Sequence, residues 1–112
     1  MKSIVAFIRP SKEESVREAL HDAPGVVGAT FFDVRGFGRG RGQTSAALAE
    51  AVVGTLPKVR VDVMVPDEHA DTVSKVIAQA ARTGNRGDGK VYILPVESAL
   101  RIRTGESGIE AT

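Results

Sequence analysis

The sequence contains no cysteine, and that absence removes disulfide staples, thiolate nucleophiles and zinc–cysteine clusters. Redox chemistry is therefore not expected, and a cytoplasmic location is. Aromatic residues make up only 4% of the chain, too few for the stacking platforms of a single-strand nucleic-acid binder. Charge of one sign is also lacking. Lys+Arg 15 against Asp+Glu 14 leaves a formal charge of +1, which implies no general nucleic-acid or membrane-surface binder but is compatible with a local basic patch. Long apolar runs are missing too: the run in "MKSIVAFIRP" is cut at Arg9 and Pro10, short of a signal peptide or a membrane span, so no membrane insertion is expected. No Ser-His-Asp or paired-glutamate spacing occurs, and His21 and His69 lack ligand-spaced companions and read as helix-surface residues. Neither catalysis nor a metal site is implied.

What is present is the length of one ordinary domain, 42% hydrophobic, in a legible order. "KSIVAFIR" is an Ile- and Val-rich run that ends at Pro10 and reads as a buried strand. "SKEESVREALHD" follows as a helix, with Ser11 and Glu14 at capping-box spacing, Val16, Ala19 and Leu20 on one face, and Pro24-Gly25 closing it. Val26 to about Gly36 is β-branched and aromatic and reads as a second strand. In "KVRVDVMV" the alternation predicts a third strand, with Val59, Val61, Val63 and Val65 on one face and Arg60, Asp62 and Met64 on the other. "DEHADTVSKVIAQAAR" predicts a second helix with acids at its start, "KVYILPV" a fourth strand, and "ALRIR" an added edge strand. The resulting β-α-β-β-α-β order is α+β, the ferredoxin-like arrangement of an antiparallel four-stranded sheet with both helices on one face. The uncovered face is most simply buried by self-association into a closed ring.

Two segments carry more than a fold requires. "RTGNRGDGK", Arg82 to Lys90, holds three glycines, an aspartate and a terminal lysine, where a turn needs one glycine. Lys90 is followed by Val91 and a strand, so this is no Walker A loop, yet glycines that free backbone N–H groups beside a lysine suit an anion. On this stretch alone, turn and anion cradle both stand. "RIR" tips the balance: on an extended backbone Arg101 and Arg103 leave by the same face as paired guanidinium forks. The connection between the second and third strands is about twice the usual length, alternates Gly36, Gly38, Gly40 and Gly42 in its first half, and predicts a short helix in "SAALAEAVV". Its Gly-Arg run has one aromatic, Phe37, which argues against RNA.

Taken in order, "RGFGRGRGQT", "LPKV", "RTGNRGDGK" and "RIRTGE" resemble the PII signal-transduction family of nitrogen-regulatory proteins over essentially the whole chain. The resemblance implies a single PII-like domain over 1–112, with a T-loop at about 37–56, a B-loop at 82–90 and a C-terminal loop at 98–112. It implies a homotrimer that senses ATP or ADP, with magnesium accompanying ATP, in clefts between subunits. Gly87, Asp88, Gly89 and Lys90 would hold the phosphates, Arg101 and Arg103 would reach them from the neighbouring subunit, Gly38 and Arg39 would approach them from the T-loop root, and Thr30 and Met64 would surround the adenine. Lys58, Gly40 and Gly42 fall where the family binds an effector. The partner implied is a target protein, a membrane transporter or a nitrogen-metabolism enzyme, engaged by the T-loop.

Three departures qualify the carry-over. Gly40 stands where the family has a glutamine that ligates magnesium with 2-oxoglutarate, and a glycine offers no ligand, which argues against 2-oxoglutarate sensing although Lys58 is present. The one tyrosine, Tyr92, is in a strand, so the T-loop has no tyrosine to modify; Thr44 and Ser45 read as ordinary loop residues. The alanine-rich second half of the loop lacks the family's polar tip. These departures motivate an alternative, a divergent paralogue serving a metal or bicarbonate transporter with another effector. A slow ATPase is a third reading, for which no residue that would position an attacking water can be named.

Overall fold

The structure, a computed structural model, describes residues 1–38 and 55–112. Arg39, Gly40, Gly42, Thr44, Ser45 and the helix expected over 45–53 lie outside the described residues. The described elements are β1 (Lys2–Ile8), a 3-10 turn (Pro10–Lys12), α1 (Glu13–His21), β2 (Thr30–Gly36), β3 (Leu56–Val65), α2 (Asp67–Ala81), β4 (Lys90–Pro95) and a C-terminal 3-10 turn (Gly108–Ala111). Every strand pairing is antiparallel and the strand order is β2-β3-β1-β4, which makes the fold ferredoxin-like βαββαβ.

The period-2 pattern divides the sheet cleanly. Val59, Val61, Val63 and Val65 of β3 are buried, as are Ile8, Ala6 and Ile4 of β1, which lie opposite Val59, Val61 and Val63 in register. Against this face α1 sets Val16 and Leu20, and α2 sets Ala70, Val73, Ile77 and Ala81 at helical spacing. Each fully buried Val or Ile contributes roughly 1.5–3 kcal/mol, so these residues decide which face the helices cover. Asp67 and Glu68 stand in the first turn of α2, where its dipole favours acids, and the N-terminal ammonium donates to Asp67 at 2.7 Å.

The opposite face is open, and its residues follow from register. Phe32, Arg60, Phe7 and Lys90 lie in one row across β2, β3, β1 and β4, and Thr30, Asp62, Val5 and Tyr92 lie in the next. The Arg60 guanidinium stands 5.9 Å from the Phe7 ring centre and 5.6 Å from that of Phe32, and donates to Asp62 at 2.8 Å and 3.2 Å. Phe32, Met64, Tyr92 and Leu94 on this face are 40–48% exposed. Among the described residues, no helix is long and apolar enough to cross a membrane.

Three local expectations are corrected. β2 begins at Thr30 rather than Val26, because the small residues Gly28 and Ala29 interrupt the β-branched run and pairing with β3 stops at Thr30–Asp62. The Ser11–Glu14 capping box does not form: Pro10, its φ fixed, starts a 3-10 turn that takes up Ser11, and α1 is capped by Lys12 without a side-chain bond. "ALRIR" is not an edge strand. The Arg101 N–H donates to the Glu106 carbonyl and the Gly105 N–H to the Arg101 carbonyl, each at 2.8 Å, folding the segment into a turn closed by an isolated Leu100–Ser107 bridge.

The excursion from α1 to β2 is pinned to the second helix. Gly25, at φ +78, lies so close to the ring of His69 on α2 that a Cβ there would press into the imidazole.

Candidate functional site

Helix α2 ends because Arg82 turns extended, at φ −73 and ψ 133, and the chain must then return to β1 to start β4. The loop between them is shaped by glycine at specific points. Gly84, Gly87 and Gly89 all have positive φ, and at Gly89 the requirement is absolute, since a Cβ would overlap the carbonyl oxygen of Phe7. This close approach locks the loop against the end of β1 and sets Lys90 opposite Phe7, exposed on the open face.

Asp88 is the internal anchor of this loop. Its Oδ2 accepts from the Thr83 and Gly84 backbone N–H groups, both at 2.8 Å, and its Oδ1 accepts from the Thr83 hydroxyl and from Arg9 Nε at 3.0 Å. These bonds, the Thr83 hydroxyl first and its backbone N–H next, hold the Asp88 carboxyl far below the usual carboxylate range. Arg9 also donates through Nη2 to the Arg86 carbonyl at 2.7 Å, and Lys58 Nζ donates to the Gly87 carbonyl at 2.6 Å. Lys58 stands two residues after the start of β3, so this bond joins the glycine loop to the strand that emerges from residues 39–54. By strand alternation Lys58, Arg60 and Lys90 all face the open side, which concentrates positive charge beside the loop.

A second group of residues lies elsewhere on the sheet. A cavity of about 350 Å³, large enough for a purine ring, is lined by Val27, Gly28, Ala29 and Thr30, by Asp62 and Met64 of β3, and by Ala111 and Thr112 at the end of the chain. The C-terminal segment is held by Arg101, which donates to Glu106 Oε1 at 3.0 Å and to the Glu110 carbonyl at 2.9 Å. Thr30 and Lys90 sit on the two edge strands, three strand spacings or roughly 14 Å apart.

The sequence-predicted residues thus fall into two sets. Lys58, Gly87, Asp88, Gly89 and Lys90 come together at one end of the sheet, and Gly38 is exposed two residues beyond β2. Thr30 and Met64 share the cavity, on whose far wall the chain terminus lies. Arg101 and Arg103 do not form the parallel pair expected, because the Gly105 turn replaces the extended backbone; Arg101 is bound within its own segment and Arg103 is exposed. Sequence reading passed over Arg9, Thr83 and the terminal residues, and placed Asp62 only on the face of β3 opposite its valines. Arg9 could have been found as a cation at a strand end immediately before proline, whereas its pairing with Asp88, 79 residues away, could not.

The chain as a whole is similar to proteins of one family. A family model described as "Nitrogen regulatory protein P-II" matches residues 1–106. Proteins of that description from Rhizobium meliloti and Haemophilus influenzae are 47% and 48% identical over 112 residues, covering 99% of this chain and 99% of each relative. A crystal structure of Arabidopsis thaliana PII bound to citrate superposes with a TM-score of 0.81 at 33% identity, covering 99% of this chain and 91% of that one.

Folding lowers the Asp88 carboxyl, so the stability it contributes is complete above the ordinary carboxylate value and is lost as pH falls below about 4 toward the folded value. Asp88→Asn has no such proton to bind. Urea titrations between about pH 5 and about pH 3 should show a shallower loss of stability for Asp88→Asn than for the parent, with the remaining slope including Asp67, which the N-terminal ammonium lowers likewise. Equal slopes would remove Asp88 as the loop's anchor.

Proposed function

The chain belongs to the nitrogen regulatory protein P-II family, and from that premise we propose that it senses ATP against ADP in sites completed between the protomers of a homotrimer. It is a PII signal-transduction protein. Proteins of this family are signalling regulators that form trimers, bind ATP, ADP and 2-oxoglutarate, and act on target proteins in nitrogen regulation. A divergent paralogue serving a metal or bicarbonate transporter finds no support among the relatives.

The observation that carries the proposal is the division of the site into two sets of residues on one chain. Gly87, Gly89 and Lys90 supply backbone donors and a cation suited to a polyphosphate, which the resemblance would extend with Gly38 and Arg39; Thr30 and Met64 line a cavity suited to a base. Placing the cavity of one protomer beside the glycine loop of the next gives a single cleft. The same arrangement brings Arg101 and Arg103 to the phosphates from the C-terminal segment of the neighbour. Asp88 takes part through its backbone, because its carboxylate is fully engaged inside the loop. Magnesium would accompany ATP on the phosphates. The protein is then a cytoplasmic, non-enzymatic regulator whose T-loop, about 37–56, engages a transporter or an enzyme of nitrogen metabolism. Its root meets the phosphate loop at the Lys58–Gly87 bond, so only a nucleotide with different affinity for the two loop states shifts them.

Isothermal calorimetry should show ATP and ADP competing for one site per subunit, with Lys90→Ala weakening both by about tenfold or more, the worth of a charge-assisted hydrogen bond. No heat from either nucleotide on folded protein would overturn the proposal. Light scattering should give the mass of a trimer, and Tyr92→Glu on the open face should reduce it to that of single chains; an unchanged mass would place the interface elsewhere. Because Gly40 offers no ligand for magnesium, 2-oxoglutarate titrated with Mg-ATP should bind weakly or not at all, and Gly40→Gln should strengthen it. Tight, ATP-dependent binding by the parent would reverse that part of the reading.

A further inference from the structure

We infer that Arg9 is a positioning residue for the polyphosphate, acting on the glycine loop through Asp88 and the Arg86 carbonyl. The inference rests on the nucleotide reading above and concerns how the loop tolerates its own aspartate. Asp88 brings a full negative charge into the segment that would receive phosphates, and without compensation that charge opposes the ligand. Arg9 Nε lies 3.0 Å from the carboxylate and offsets it.

The same side chain supports the backbone. Its Nη2 donates to Arg86 at 2.7 Å and lies 3.3 Å from where a Cβ on Gly87 would be, so the guanidinium passes directly beside Gly87 and bonds to the residues on both sides of it. The backbone of Arg9 is itself fixed at φ −65 and ψ 140, the conformation favoured before proline, at the point where β1 ends and the 3-10 turn begins. A rigid strand end thus carries a forked cation beneath a glycine-rich loop whose own bonds converge on Asp88 and Thr83. Lysine cannot substitute fully, since an ammonium is a single point charge and cannot hold two acceptors in the planar geometry of the fork.

Calorimetry with AMP, ADP and ATP on Arg9→Met, Arg9→Lys and the double variant Arg9→Met/Asp88→Asn tests this. Arg9→Met should lose about tenfold in ATP affinity, less for ADP and least for AMP, because the effect acts on the phosphates and not on the base cavity. Arg9→Lys should fall between parent and Arg9→Met. The double variant should bind ATP more tightly than Arg9→Met alone, because the uncompensated carboxylate is gone. The same fractional loss for all three nucleotides, or additive losses in the double variant, would overturn the inference in favour of a merely structural role. If Arg9→Met does not fold by circular dichroism, the order of losses across the three nucleotides for Arg9→Lys decides in the same way. A parent protein that binds none of the three overturns the nucleotide reading and this inference with it; a parent that binds and an Arg9→Met that matches it overturns this inference alone.

Discussion

The contact on which the site depends is the approach of Gly89 to the carbonyl of Phe7. Backbone meets backbone there, with no side chain between, and this fixes the return of the chain from α2 to β1. Once the approach is made, β4 pairs in one register, Lys90 emerges on the open face, and Asp88 is brought within reach of Arg9. The carboxylate then collects the donors of its own loop. A loop of this composition would otherwise lose much conformational entropy on ordering; here a strand end and one ion pair take that cost.

The sheet does two different tasks on its two faces. The valines of β3 and the aliphatic residues of β1 are committed to the helices and supply the stability. The alternate residues of the same strands carry cations, an aspartate and aromatic rings, with the Arg60 guanidinium 5.9 Å and 5.6 Å from the Phe7 and Phe32 ring centres. Strand alternation therefore couples the core to the open face: any shift of register that disturbed one would disturb the other.

Much of this was legible in the sequence. The alternation in "KVRVDVMV" identified both faces of β3, and "RTGNRGDGK" declared more glycine than a turn needs, because positive φ and close backbone contact leave a direct compositional trace. Capping and strand ends were less legible, since Pro10 and the Gly28–Ala29 pair override propensities read from neighbouring residues. Arg9 was legible only as a cation before proline. Its meaning depends on Asp88, which the fold brings near and the sequence does not. The parallel Arg101–Arg103 pair failed for a related reason: a two-residue spacing shares a face only on extended backbone, and Gly105 bends it. The family resemblance read from those motifs was right.

The turn at Gly25 has a consequence for the cavity. Its wall, Val27 to Thr30, begins just after a glycine that rests directly on His69 of α2, so the lip of the cavity is braced by the second helix as well as by the sheet. Adding a methyl group at Gly25 would lever that lip outward and change the width of the opening without altering any residue that lines it. Selection for the shape of the cavity can therefore act through a position in the seam behind it.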